Sequence, residues 1–476
     1  MIVCRCQANT PKASNIVEKT RLTSSEVAMA SVKVTGRHVV KPVRPSPQKT
    51  LFLSAMDIMC ACNPHNRRLL FYKVPIGRSV DYSERVGRLK AALAEALAHF
   101  WPLAGRIRPP SSSSPVYSPT SKDEFTEPGC RMSLECNDEG AELLEARVEG
   151  ITFEEIEITG FRDTYPFFND LVPWVDPAHY AIAPPLCIQI SSFECGSFTI
   201  GIAISHVVCD GTSLWHFLTS WAEIARGEKL SLEPVHLRTL LKVDNPSAEK
   251  AFLLAENVQD EKHAMAPGSN DLRVFQFNKE AVKRLKNRAG REYSSYEALC
   301  THIWRYTSLA RRHLPDQKLA FIHIVNTRNR ANPPLPLGYF GNAIMWVATV
   351  ATAGELAEES FAATAKRIHD TLEECNEAAL LGWLHWLEVH GRNEIITNCM
   401  AINGARIRAS SSTRFNVSAV DFGWGSPAAV RCPCIEIPGK IIFFPGSEGI
   451  GSIDMTIALP SLVMQRLEHE PDFMKP

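Results

Sequence analysis

The sequence predicts an α/β fold of the α+β kind, with mixed β-sheets flanked by helices. Three observations carry that prediction. Phe198, Ile200, Ile202 and Ile204 alternate as a half-buried strand does, and Leu214, Phe217, Leu218, Trp221, Ile224 and Ala225 then recur at helical spacing. With 476 residues, 45% of them hydrophobic, the chain can fill the cores of two or three domains. From 227 to about 270 it turns charged and weakly periodic, broken by Pro234, Pro246 and Pro267, which reads as a crossover between two folded halves.

Composition narrows the function. A net charge of −1 gives no electrostatic case for nucleic acid or an anionic membrane as partner. No apolar run approaches the ~18 residues of a membrane span. The fourteen cysteines are scattered, and the close pairs Cys4/Cys6, Cys60/Cys62 and Cys432/Cys434 lack the paired Cys-x-x-Cys spacing of a structural zinc site. Thiols in a reducing cytoplasm and no metal are expected.

Residues 1–30 lack periodicity and read as a disordered or gene-model extension, with Met29 an alternative start. A strand is expected within Val32–Val43. Arg85–Phe100 is a helix with Val86, Leu89, Leu93, Leu97 and Phe100 on one face, ended by Pro102; Gly105-Arg106 then turns into a strand. Pro109–Pro119 is a Ser/Pro-rich loop. Cys130–Glu157 reads as strands and a short helix, and Leu186–Phe193 forms a hairpin with the strand from Phe198 through Glu194-Cys195-Gly196-Ser197.

The second half opens with a strand near Leu272–Phe277, and Ser294-x-x-Glu297 caps a helix carrying Leu299, Ile303 and Tyr306. Phe321–Val325 is a strand, Leu356–Glu374 a helix, and Arg414–Val420 a strand leading into Asp421. Phe443–Gly446 ends the next strand; Ile453, Met455 and Ile457 mark the last, before a helix opened by Pro460-Ser461.

The strand–loop–helix of 198–226 also carries the candidate chemistry. His206 sits at a strand end on a rigid support, and an imidazole there is placed to act as a general base. Asp210, Thr212 and Ser213 are helix-start residues, and Gly211 relieves the turn. A histidine that is merely structural is the competing reading of these residues alone.

His206-x-x-x-Asp210-Gly211 together with Asp421-Phe422-Gly423-Trp424-Gly425 resembles the plant BAHD acyltransferases. So do Pro102-Leu103-Ala104-Gly105-Arg106, Pro333-Pro334-Leu335-Pro336, Gly338-Tyr339-Phe340-Gly341-Asn342 and Leu53-Ser54-Ala55-Met56-Asp57, the last a segment the resemblance implies is structural, so the resemblance runs from about residue 33 to the end. It implies two chloramphenicol-acetyltransferase-like domains, 31–226 and 271–476, joined by the 227–270 crossover and separated by an active-site tunnel. It also implies an acyl-CoA co-substrate, a small-molecule acyl acceptor, no permanently bound cofactor and a cytoplasmic monomer.

By the same resemblance His206 is the base and Asp210 the loop anchor, held by Arg328 with Arg330 as runner-up. Ser294 and Ser295 lie near coenzyme A, Asp421 and Gly423 are structural, and Trp424 is a candidate oxyanion donor. Members that make shikimate or quinate esters often carry tryptophan nine residues before Asp421, where this chain has Ser412; Ser426 replaces a common lysine. A CoA-independent lyase or transacylase, or a non-catalytic binding homologue, is the alternative reading.

Overall fold

The computed structural model describes residues 30–62, 65–74, 81–108, 132–162, 165–176, 182–247, 270–395, 405–410, 414–435 and 437–476. The N-terminal extension, the Ser/Pro-rich loop, residues 248–269 of the crossover and Ser412 lie outside them.

Two six-stranded mixed sheets organise the chain. The first runs, in spatial order, Ser31–Val40, Ala141–Glu149, Leu186–Ser192, Phe198–Ile204, Asn66–Tyr72 and Ala429–Arg431. Its one parallel pairing joins 141–149 to 186–192. The second runs Ile344–Thr352, Lys318–Asn326, Arg406–Ala409, Lys440–Pro445, Ile453–Pro460 and Asn270–Phe277, with parallel pairings on both sides of 406–409. A small three-stranded sheet joins Thr50–Leu51, Ser133–Glu135 and Arg106–Arg108.

The strand Ala429–Arg431 comes from the second half of the chain and pairs with Leu69–Phe71 of the first. Phe340, Val417, Phe422 and Phe444 share a core with Leu89, Ile200 and Trp221, so the halves are packed as one body.

The helices follow the sequence pattern with instructive departures. Tyr82–His99 starts at an Asp81 N-cap and packs against Gly211–Ala225, where the Trp221 indole donates to Leu89 O at 3.1 Å. The hairpin forms as expected, with Gly196 at φ +83° in the turn, a conformation that glycine adopts without a Cβ penalty.

The single helix expected over 356–374 is two, Ala353–Glu358 and Phe361–Glu373. Thr352 and Ser360 each accept a hydrogen bond from a backbone amide three residues on, so each opens a separate helix. The strand expected at 414–420 is instead a turn with a 3₁₀ segment, Val417–Ala419. Val417 and Val420 are both buried, a three-residue spacing that no strand face provides.

Candidate functional site

Phe198–Ile204 is buried along its whole length, paired on both sides, and delivers His206 to the space between the two sheets. Asp210 caps the following helix by accepting from Ser213 N at 2.9 Å. Its carboxylate, 1% exposed, takes a bidentate pair from Arg328 at 2.7 and 3.0 Å and a backbone hydrogen bond from Ala343 N at 3.1 Å. Burial alone would raise the Asp210 pKa; the Arg328 charge and the two amides outweigh it, and the net shift is downward. Arg330 points elsewhere, donating to Asn326 O at 2.8 Å. Asp210 thus fixes the loop and makes no hydrogen bond to the imidazole among the described residues.

Asn342, whose role sequence reasoning left blank, meets the imidazole. Its Nδ2 donates to Asp57 Oδ1 at 2.9 Å and to His206 O at 2.8 Å, which fixes the amide orientation. Its Oδ1 then lies 3.2 Å from His206 Nδ1. An amide oxygen only accepts, so Nδ1 carries the hydrogen and Nε2 is left with a lone pair. Burial pushes the His206 pKa down to about 4, helped by the Lys440 charge, so the ring is neutral at pH 7.

A second buried ion pair supports this one. Asp57 and Arg238, both without side-chain exposure, lie 3.1 Å apart, and Arg238 also donates to Val208 O at 2.6 Å. The capping box of Ser54 and Asp57 anchors the first of these partners. Leu53–Asp57 was legible as structural, but its reach to residues 285 positions away had no local signal.

His206 lines a cavity between the two sheets that is partly open to solvent. His65–Arg68, Gly211, Phe415, Cys432 and Cys434 face it from one side, and Ile324, Trp346, Arg408, Ser410 and Lys440 from the other.

The structure corrects the role of Trp424. Its ring packs edge-on against Phe198 at 5.7 Å and lies under the Arg88 guanidinium at 4.5 Å. Phe198 opens the strand whose far end leads to His206, eight residues or about 25 Å away at strand rise. Trp424 therefore reaches no oxyanion beside His206. Asp421 Oδ1 accepts from Gly423 N at 2.7 Å and Gly425 N at 2.9 Å, with both glycines at φ +99°. Arg226 and Arg88 tie the backbone carbonyls of Asp421 and Phe422 to the first half.

Ser294 is the N-cap of Ser295–Arg311, its hydroxyl accepting from Glu297 N at 3.3 Å. Ser295 opens that helix, half-buried. Neither lines the cavity around His206. Among the described residues no group of three potential ligands could hold a metal, and no helix is long and apolar enough to cross a membrane.

Comparison with known proteins agrees with this architecture. The sequence profile of the Transferase family matches residues 30–474. A hydroxycinnamoyltransferase of Narcissus pseudonarcissus is 31% identical over 461 residues, covering 93% of this chain and 98% of its own. A shikimate O-hydroxycinnamoyltransferase of Nicotiana tabacum is 28% identical over 457 residues, covering 92% and 98%. Among solved structures, vinorine synthase superposes with a TM-score of 0.69 at 22% identity over 92% of this chain and 96% of that one. F. sporotrichioides TRI101, solved with coenzyme A and T-2, gives 0.72 at 20% over 89% and 98%. Profile, relatives and two-sheet fold agree, and the chain belongs to the Transferase family of BAHD acyltransferases.

Proposed function

We propose that the enzyme transfers an acyl group from an acyl-CoA thioester to a hydroxyl or amine of a small-molecule acceptor, with His206 as general base. The observation that carries this reading is the Asn342–His206 contact, which leaves an unprotonated Nε2 at a cavity between the sheets.

In this mechanism Nε2 takes the acceptor's proton as its oxygen or nitrogen attacks the thioester carbonyl. General base assistance of this kind contributes about 10²–10⁴ in rate. The tetrahedral intermediate collapses, the C–S bond breaks, and the imidazolium returns its proton to the departing thiolate. Base and nucleophile meet in one ternary complex, so no acyl-enzyme forms. Asp210 and Arg328 hold the loop. Ser294 and Ser295 belong to the proposed cofactor approach; the Ser294 hydroxyl is already engaged in capping, which leaves Ser295 the stronger contact. The relatives' names favour an aromatic acyl donor. A cytoplasmic monomer completes the proposal.

The test is thiol release from a panel of acyl-CoAs, each with pooled alcohols and amines, for wild type and His206→Ala. Release that needs an acceptor and falls by at least about a hundredfold in the variant at unchanged Tm is the expected result. Near-normal turnover in His206→Ala would remove the histidine from the chemistry.

A further inference from the structure

Arg67 is a buried cation with no acid beside it. Its side chain stands on the strand Asn66–Tyr72, 7% exposed, where Nη1 donates to Asn169 Oδ1 at 3.0 Å and Nη2 to the Asn169 carbonyl and to Val172 O at 2.7 Å. Those oxygens are neutral, and no carboxylate pairs with Arg67 among the described residues. A buried guanidinium ordinarily keeps an anionic partner.

The second Nη1 hydrogen goes to the sulfur of Cys434, at 3.2 Å. Of the groups to which Arg67 donates, this thiol alone can ionise, and a thiolate there completes the pair. Lys440 bears on the same sulfur through its field. Burial and the Arg408 charge push the Lys440 ammonium down to about 8, while Cys432 and Cys434 pull it the other way.

A second thiol lies beside the first. Cys432, two residues back in Cys432-Pro433-Cys434, donates its Sγ hydrogen to Cys434 O at 3.0 Å. Cys432 is buried and Cys434 half-buried, and both line the cavity that is partly open to solvent.

Other thiols of the chain are placed differently. Burial pushes Cys136 and Cys187 up to about 12 and Cys375 up to about 11, and it raises Cys209 and Cys300 as well, so these stay protonated. Cys60 donates to Asn342 Oδ1 at 3.5 Å, and Cys195 lies exposed in the hairpin turn. Thiols that react with peroxide are thiolates in electropositive, partly exposed surroundings, often beside a resolving cysteine. All of these conditions meet at Cys434.

We propose that Cys434 is a modification site for hydroperoxides, with Cys432 as its resolving thiol. The Cys434 thiolate attacks one peroxide oxygen; an S–O bond forms as the O–O bond breaks, and the second oxygen leaves with the electron pair as hydroxide or alkoxide. The Cys432 sulfur then attacks the sulfenic acid, an S–S bond replaces the S–O bond, and the hydroxyl departs as water with the Cys432 proton. Two electrons pass from the thiol pair to the peroxide, and a dithiol reductant returns them by exchange. The assignment does not depend on the acyl-transfer reading of His206.

The experiment treats the full chain, reduced and then freed of reductant, with hydrogen peroxide and follows the peptides that carry Cys434 and Cys195 by mass. In wild type the Cys432–Cys434 peptide should lose two hydrogen atoms before Cys195 is oxidised, and dithiothreitol should restore them. In Cys432→Ser the reaction should stop at the sulfenic acid, captured by dimedone on Cys434. Arg67→Met should lower the ratio of Cys434 to Cys195 oxidation rates at pH 6 by at least about tenfold, because the thiolate loses its charge partner.

Cys195 oxidised ahead of Cys434 in folded wild type, or the same rate ratio in a folded Arg67→Met protein, would overturn the site. A wild type that stays at the sulfenic acid would overturn the role of Cys432. If Arg67→Met does not fold, the order of oxidation in wild type and the dimedone adduct in Cys432→Ser carry the test.

Discussion

Mild acid should unfold this protein, and the magnitude follows from five histidines. Burial holds His65, His206, His236 and His302 at about pKa 4 and His323 at about 3. Their surroundings are built for neutral rings: His302 Nε2 lies 2.8 Å from Phe473 O and His236 Nε2 2.9 Å from His99 O, while Nδ1 of each is buried without a partner to receive a second N–H. Because these folded values lie below the ordinary 6.5, the unfolded chain binds protons first as pH falls. Stability is fully present above about pH 6.5 and is lost from there down through pH 4.

Each histidine then loses about 1.4 kcal/mol per pH unit. At pH 5 the loss is about 2 kcal/mol each and about 10 kcal/mol for the five, comparable to the whole stability of about 5–15 kcal/mol of a folded domain. A cooperative transition near pH 5 is expected in far-ultraviolet circular dichroism and tryptophan fluorescence stepped from pH 8 to 3. Urea unfolding should lose several kcal/mol between pH 7.5 and 5.5. Native signals persisting to pH 3.5, or a urea difference under about 1 kcal/mol, would refute the claim that these rings are held neutral.

Three substitutions test the site. Arg328→Ala leaves Asp210 buried and unpaired, so stability should fall by about 3–5 kcal/mol in urea, and the Asp210→Ala/Arg328→Ala double variant should lose less than the two singles together. Asn342→Ala removes the acceptor at His206 Nδ1; kcat should drop at least about tenfold and the acidic limb of the kcat/KM profile should move to lower pH, because the amide contact raises the histidine's pKa. Trp424→Phe should lower stability by about 1 kcal/mol through the weakened Arg88 contact and leave kcat nearly unchanged. A hundredfold loss of kcat there would return Trp424 to the chemistry.

What the sequence made legible was local. Alternation at Phe198–Ile204 and helical spacing from Leu214 placed His206 at a strand end and Asp210 at a helix start, and both stand there. Arg328 was reachable through its motif, and it makes the expected pair. Asn342 and Arg238 were not legible as site residues, since their partners Asp57, His206 and Val208 are brought to them only by packing of the two sheets. Asp421 and Gly423 read as structural and Trp424 as a candidate donor, but spacing alone could not show that the Trp424 ring packs on Phe198 or that Asp421 uses the glycine amides to close a turn around it.

The loan of Ala429–Arg431 to the first sheet has a consequence for synthesis. A ribosome adds roughly 5–20 residues per second, so roughly 20–70 s pass between the emergence of Tyr72 and that of its strand partner. Throughout that interval one side of Asn66–Tyr72 is an open edge, carrying Leu69, Leu70 and Phe71 in a continuous apolar run. The growing chain therefore needs a guardian at that edge, and a separately expressed fragment ending before residue 429 should precipitate unless the remainder is supplied with it.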